Sequence, residues 1–276
     1  MLLGKAVQKQ HVPMGWSRCG MVLLFSQKVS ISPYFQPVTF LSINLDNNWS
    51  NNIMVKKANI KFEQVKQPIT EIVTKFGGQP NWLCEPEWPL EKERGEKMAF
   101  ICQIVLEEEL FGKTKGKVAY LFMDDDEDAG WETSDPDLGQ NAVIIQPGNN
   151  TMRRVPDAEG PASRSFFGCD DGFDENGLIE FKAILEIVEE PDFLNDNALE
   201  KLTQKECDEY MDAISGNKIG GNPMFLQEDE FPIPEPYKFL CQLDDSLLPI
   251  FANFGSGIGY AFIDAEGTYG KLLWQC

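Results

Sequence analysis

Histidine is all but missing: His11 is the only one in 276 residues. That removes Ser-His and Cys-His pairs, the H-E-x-x-H zinc signature and any His-rich metal centre. Chemistry here would have to run on carboxylates, lysines, cysteines or tyrosines. Paired cysteines are missing too. Seven stand at 19, 84, 102, 169, 207, 241 and 276, an odd number with no C-x-x-C spacing. Neither a disulfide framework nor a paired-cysteine zinc site is supported, and a reducing, cytoplasmic compartment is expected. No apolar run approaches the ~20 residues needed to cross a bilayer. The longest near the start, GMVLLF at 20–25, is short for a signal-peptide core, so no membrane is expected as a partner.

Basic charge is scarce as well. The chain has 24 Lys and Arg against 44 Asp and Glu, a net charge of −20. The imbalance is uneven: residues 1–53 carry Lys5, Lys9, Arg18 and Lys28 with Asp46 as their one acid, and the remainder carries the whole excess of acid. Residues 1–53 therefore read as an N-terminal extension, disordered or preceding the true start at Met54, with a transit peptide as the alternative. Residues 54–276 read as a single domain. Its charge argues against direct binding of a nucleic-acid backbone and favours a compact basic protein or an extended basic peptide as partner.

What is present is a phrase said twice. KFGGQPNW (75–82) returns as KIGGNPMF (218–225). The matches are Lys75/Lys218, Gly77/Gly220, Gly78/Gly221, Pro80/Pro223, Trp82/Phe225, Leu83/Leu226, Glu87/Glu230, Trp88/Phe231 and Pro89/Pro232. After a short gap come Phe100/Phe239, Cys102/Cys241, Gln103/Gln242 and Ile104/Leu243, and later YLFMD (120–124) against YAFID (260–264). Internal repeats at about 71–146 and 212–276 follow.

In each copy Gly-Gly-x-Pro is a turn, because glycine supplies positive φ and proline fixes its own. Strands are expected at AFICQIVL (99–106), KVAYLFMD (117–124), KFLCQL (238–243), IGYAFID (258–264) and KLLWQ (271–275). Period two puts Phe100, Cys102 and Ile104 on one face, and Phe239, Cys241 and Leu243 likewise. A long strand is expected over 177–190. The clearest helix is 202–215, with Thr203 and Glu206 as a capping box and Gly216 as its C-terminal stop. Strands joined by connections too short for βαβ crossovers give an α+β, β-rich fold of mainly antiparallel sheets with pseudo-twofold symmetry.

Gln103 and Gln242 are polar residues inside apolar strands. They are either two equivalent ligand contacts in a central groove or structural amides satisfying the neighbouring turn, and the second is favoured. Trp82, Trp88, Phe225 and Phe231 either line a binding cleft or pack the turns. The run DDDEDAGWETSDPD (124–137) crowds eight carboxylates without ligand spacing. CDDGFDENGLIEF (169–181) offers Asp170, Asp171, Asp174 and Asn176 as a weak calcium-loop mimic that lacks the ligands required at its first and last positions. GSGIGY (255–260) leads into a strand, so it is a turn and no nucleotide site. No cofactor is expected.

These motifs together resemble the bacterial YwqG-like family, a domain family of unknown function, over roughly residues 70–276. The resemblance implies a β-rich architecture more than a chemistry. KFGGQPNWL followed by FICQI is also similar to the programmed cell death protein two family, whose members are associated with escorting a ribosomal protein; the cysteine pairs common there are missing here. The expected function is a non-catalytic protein-binding or chaperone-like module for a basic partner. A metal-assisted hydrolase using the acidic clusters, and an interaction or immunity-type protein, are the alternatives.

Overall fold

The computed structural model of the protein describes residues 53–126, 130–164 and 179–276. In chain order its elements are β1 (Met54–Gln64), β2 (Lys75–Gly77), β3 (Trp88–Pro89), β4 (Ala99–Val105), α1 (Glu108–Phe111), β5 (Val118–Met123), β6 (Asn141–Gln146), β7 (Arg154–Val155), β8 (Glu180–Pro191), α2 (Asp196–Leu199), α3 (Gln204–Ile214), β9 (Lys218–Gly220), β10 (Tyr237–Asp244), β11 (Ile258–Asp264) and β12 (Gly270–Gln275). No described helix is long and apolar enough to cross a membrane.

The fold is β-rich and antiparallel, as expected, but the strands do not form open sheets. Ten of them close into a barrel in the order β1-β8-β2-β4-β5-β6-β12-β11-β10-β9. Closure removes sheet edges, which would otherwise expose a row of unpaired backbone groups. One wall is β2-β4-β5-β6, the other β9-β10-β11-β12. They meet at a single residue pair, Gly270 with Val143. Glycine is required there, because a Cβ at Gly270 would fall 2.6 Å from the Val143 side chain.

The opposite junction is long and crossed. β1 and β8 pair over eleven residues, from Met54↔Pro191 to Gln64↔Phe181. β1 precedes β2 in the chain yet pairs with β9, while β8 precedes β9 yet pairs with β2. Each short turn strand is thus held by a strand that comes from the other part of the sequence.

The barrel interior is a packed core. Ile101, Cys102, Ile104, Leu121, Ile145, Leu240, Cys241, Leu243, Ile263 and Leu272 fill it. Segments following β4 and β10 close it: Leu106 and Phe111 on one side, Leu248, Ile250 and Phe254 on the other, all in the same cluster. Burial pushes the Cys102 and Cys241 thiols up, so both behave as small hydrophobes.

The period-two reading of β4 and β10 needs correction. A β-bulge falls between Phe100 and Cys102, and another between Phe239 and Cys241. The extra residue reverses the alternation, so Ile101 joins Cys102 inside while Phe100 packs outside with Trp88. Leu240 and Phe239 divide in the same way.

The helix at 202–215 forms as α3. Its capping box is complete: Thr203 N donates to Glu206 Oε2 at 2.8 Å, and Glu206 N to Thr203 Oγ1 at 3.3 Å. Gly216 follows at φ +81°. Cys207, Tyr210 and Ile214 are its buried stripe. It is the one described α-helix longer than four residues.

Candidate functional site

Both Gly-Gly turns adopt positive φ, at +70° and +64° for Gly77 and Gly78, and +70° and +75° for Gly220 and Gly221. Glycine is needed for space as well as for conformation. A Cβ at Gly78 would lie 2.1 Å from Glu180 Oε1, and one at Gly221 2.1 Å from Glu190 Oε1. These carboxylates fasten the turns. Glu180 accepts from Lys75 Nζ at 3.1 Å and Ile69 N at 2.8 Å. Glu190 accepts from Lys218 Nζ at 2.8 Å and Asn222 N at 2.5 Å, and pairs with Lys57 Nζ at 3.1 Å.

Lys75 and Lys218 are fully buried. Burial lowers the pKa of each, offset in part by its carboxylate; for Lys218 it falls to about 8, with Lys57 adding to the decrease. Sequence reasoning matched these lysines to each other but did not single them out. The two glutamates, from one strand outside the matched segments, gave it no signal.

Gln103 and Gln242 fasten the chain around the same turns. Gln103 Oε1 accepts from Asn81 N at 2.7 Å and its Nε2 donates to Val73 O at 2.8 Å. Gln242 Oε1 accepts from Met224 N at 2.7 Å, and its Nε2 donates to Gly216 O at 3.0 Å. Two further pairs do the same work. Tyr120 OH accepts from Leu83 N and donates to Asn81 O, as Tyr260 OH does with Leu226 N and Met224 O. Gln146 accepts from Cys84 N and Gln275 from Gln227 N. Each loop after a turn is therefore hung on side chains of the wall beneath it.

The four aromatics fall into two groups on the outsides of the two walls. Trp82 and Trp88 lie 6.1 Å apart edge-to-face, in a cluster with Phe100, Tyr120 and Phe122. Phe225 and Phe231 lie 5.2 Å apart at 90°, among Phe193, Tyr237, Phe239 and Phe262. The groups do not converge on one groove. Two indentations, one lined by Phe193, Tyr210, Met211 and Met224, the other by Asp125, Ser163, Arg164 and Asn253, enclose about 10 Å3 each. That is roughly the room one water takes, against hundreds of Å3 for a small-molecule pocket.

The two groups differ in what lies over them. Residues 153–163 cross the first as a strap. β7 pairs antiparallel with β3, Trp88 facing Val155 and Pro89 facing Arg154. Leu90 N donates to Arg153 O at 2.9 Å, Trp82 Nε1 to Ala158 O at 3.0 Å, Phe100 N to Pro161 O at 2.9 Å and Ser163 N to Phe100 O at 2.8 Å. Arg154 pairs with Glu87 at 2.7 Å. Trp88 is left fully buried. Over the second group no described segment pairs with 230–233, and Phe231 is 36% exposed.

Charge differs in the same way. The loop over the first wall, 83–97, mixes five glutamates with Lys92, Arg94 and Lys97, and gains Arg153 and Arg154 from the strap. Its counterpart, 226–237, holds Glu228, Asp229, Glu230 and Glu235 and no base. Nearby, burial above all pushes the Tyr210 hydroxyl up to about 12, with the charges of Glu190, Asp192 and Asp229 adding to it.

Of the acidic run at 124–137, Asp124 and Asp126 both contact Arg94, at 2.5 and 3.3 Å. Among the described residues no group of three His, Cys, Asp or Glu could hold a metal ion. Asp170, Asp171, Asp174 and Asn176 lie outside the described residues. Cys84, Cys102, Cys241 and Cys276 are free, while Cys207 is disulfide-bonded, which corrects the expectation that the cysteines stay unpaired. The family model for a domain of unknown function (DUF1963) matches residues 74–268. No curated protein matches the chain.

Proposed function

The chain belongs to the DUF1963 family, a domain of unknown function, and within it we propose that the protein is a non-catalytic module that holds a basic segment of a partner protein. The observation that carries this reading is the acid-rimmed aromatic face of the second wall. Phe231 is 36% exposed at its centre, and the loop that bears it has four acids and no base. An apolar centre with a polar rim is the anatomy of a protein interface, and a single-signed rim selects its partner by charge. The same rim repels phosphate, which disfavours nucleic acid.

In this reading the chain is an internal duplication with an α+β, YwqG-like architecture. The two copies share their turn, bulge and loop-hanging side chains, and the second keeps its outer face for binding. A role like the escorting function associated with the programmed cell death protein two family fits the same picture. The test is affinity capture from native lysate with the full chain, beside a Glu228→Lys/Glu230→Lys/Glu235→Lys variant, at low and moderate salt. A basic protein held by the wild type, released by salt and lost by the variant is the expected result. Equal retention by both, or an empty column, contradicts the reading.

A further inference from the structure

The first wall shows what a segment bound to the second would look like. Glu87 and Trp88 match Glu230 and Phe231, and Phe100 matches Phe239. On the first wall these positions bind the strap three times over. Trp88 and Pro89 take Val155 and Arg154 as ladder partners, Glu87 takes the Arg154 guanidinium, and the Phe100 backbone takes Pro161 and Ser163. On the second wall Phe239 has Phe262 as its ladder partner, as Phe100 has Phe122, and no described strand lies on its other side. Glu228, Glu230 and Glu235 take part in no described ion pair. Backbone donors and acceptors and a carboxylate thus stand in the strap-binding arrangement without a strap among the described residues, beside a Phe231 ring that Phe193 meets edge-on at 5.4 Å and that stays 36% exposed.

Resting on the binding function above, we propose that Glu230–Ile233 and Phe239 are the docking edge for an extended partner segment carrying an arginine beside a β-branched residue. The segment adds as a short antiparallel strand along 230–233, sets its arginine against Glu230 and its β-branched side chain over Phe231, then runs on past Phe239. Strand addition of this kind draws affinity from main-chain hydrogen bonds and specificity from alternate side chains. Charge fixes the arginine, because a guanidinium meeting a carboxylate makes a strong, oriented hydrogen bond.

The two walls differ in one way that sets the grip. Gln79 clamps Gly160 of the strap through two hydrogen bonds, at 2.9 and 3.0 Å. Its match, Asn222, already donates to Pro191 O at 3.0 Å. A segment on the second wall lacks that clamp and the benefit of covalent attachment, so it binds reversibly.

The probe is a fluorescently labelled peptide with the strap's own sequence, residues 149–163 (NNTMRRVPDAEGPAS), added to the full-length protein and followed by anisotropy. Saturable binding is expected, about tenfold weaker for Glu230→Lys, the loss of roughly one charge-assisted contact. The Glu230→Arg protein with a peptide carrying Arg154→Glu should recover the affinity, a rescue that misfolding cannot imitate. Binding equal in wild type and Glu230→Lys, no saturable binding, or no recovery in the swapped pair overturns the proposal. Concentration-dependent dimerisation that Glu230→Lys abolishes would assign the edge to a second copy of this chain and overturn the partner. If the lysate capture succeeds while the peptide fails, the binding face stands and strand addition falls.

Discussion

Trp88 and Phe231 hold matched places on the two walls of the barrel, yet Trp88 is fully buried and Phe231 is 36% exposed. Beneath them the walls are alike. Each has a Gly-Gly turn at positive φ, a bulge that turns one phenylalanine outward, and a glutamine and a tyrosine hydrogen-bonded to the loop. Above them they diverge, because 153–163 crosses the first and pairs with its backbone, while over the second Phe193 packs on Phe225 and Phe231 and no described segment pairs with 230–233. What the walls share concerns folding; where they part is the place to look for function.

The largest effects should come from the ion pairs under the turns. Removing one partner of a buried pair costs about 3–5 kcal/mol. Glu180→Gln should reach that range, and Glu190→Gln should cost more, since it strands both Lys57 and Lys218 where Glu180→Gln strands Lys75. Urea melts of the two variants read the difference directly; equal costs would break the distinction between pair and triad.

Next is the cover itself. Trp88→Ala should destabilise by about 3–5 kcal/mol, as for a fully buried aromatic. Phe231→Ala should cost about 1–2 kcal/mol, since its side chain keeps part of its area in water. Effects between these two, and equal to each other, are expected for Gln103→Ala and Gln242→Ala, about 1–3 kcal/mol each, because each strands one loop N–H and one carbonyl. A marked inequality there would show that the walls differ below the surface too.

The smallest effect is a pH dependence. A lysine at about 8 in the folded protein against 10.5 in the unfolded chain gives up its proton first when folded. Between those values the unfolded state binds more protons, so stability rises with pH, by at most about 1 kcal/mol per unit. Below pH 8 both states are protonated and the gain is absent. Lys218→Met should remove this rise, measured as unfolding free energy at pH 7.5 and 9.5. Lys75, with a carboxylate of its own, should show a weaker one.

Much of the scaffold was legible in the sequence. The Gly-Gly-x-Pro turns, the strands and the capped α3 are local features, set by φ preference, β propensity and a four-residue capping pattern. Barrel closure was not legible, since the β1–β8 ladder joins residues more than a hundred positions apart and periodicity carries no information about partners. The bulges broke a period-two reading at Phe100 and Phe239, because one inserted residue reverses every side chain beyond it. Lys75 and Lys218 passed unnoticed because lysine is read as exposed by default, and only the third dimension brings Glu180 and Glu190 beneath the turns. The strap over Trp88 left no sign either: RRVPDAEGPAS has neither a hydrophobic run nor a partner pattern.

Amide hydrogen exchange of the free, full-length protein, resolved for 87–91 and 230–234, tests the contrast between the walls most directly. In the first stretch Trp88 pairs with Val155, Leu90 N with Arg153 O and Glu91 N with Glu96 O. Those amides should exchange slowly, at rates set by opening of the strap or of the whole barrel. The Phe231 amide, with no described partner and its residue 36% exposed, should exchange within seconds and slow on adding the strap peptide. Equal, slow exchange in both stretches without peptide would mean that the second wall is already covered, and would contradict the account.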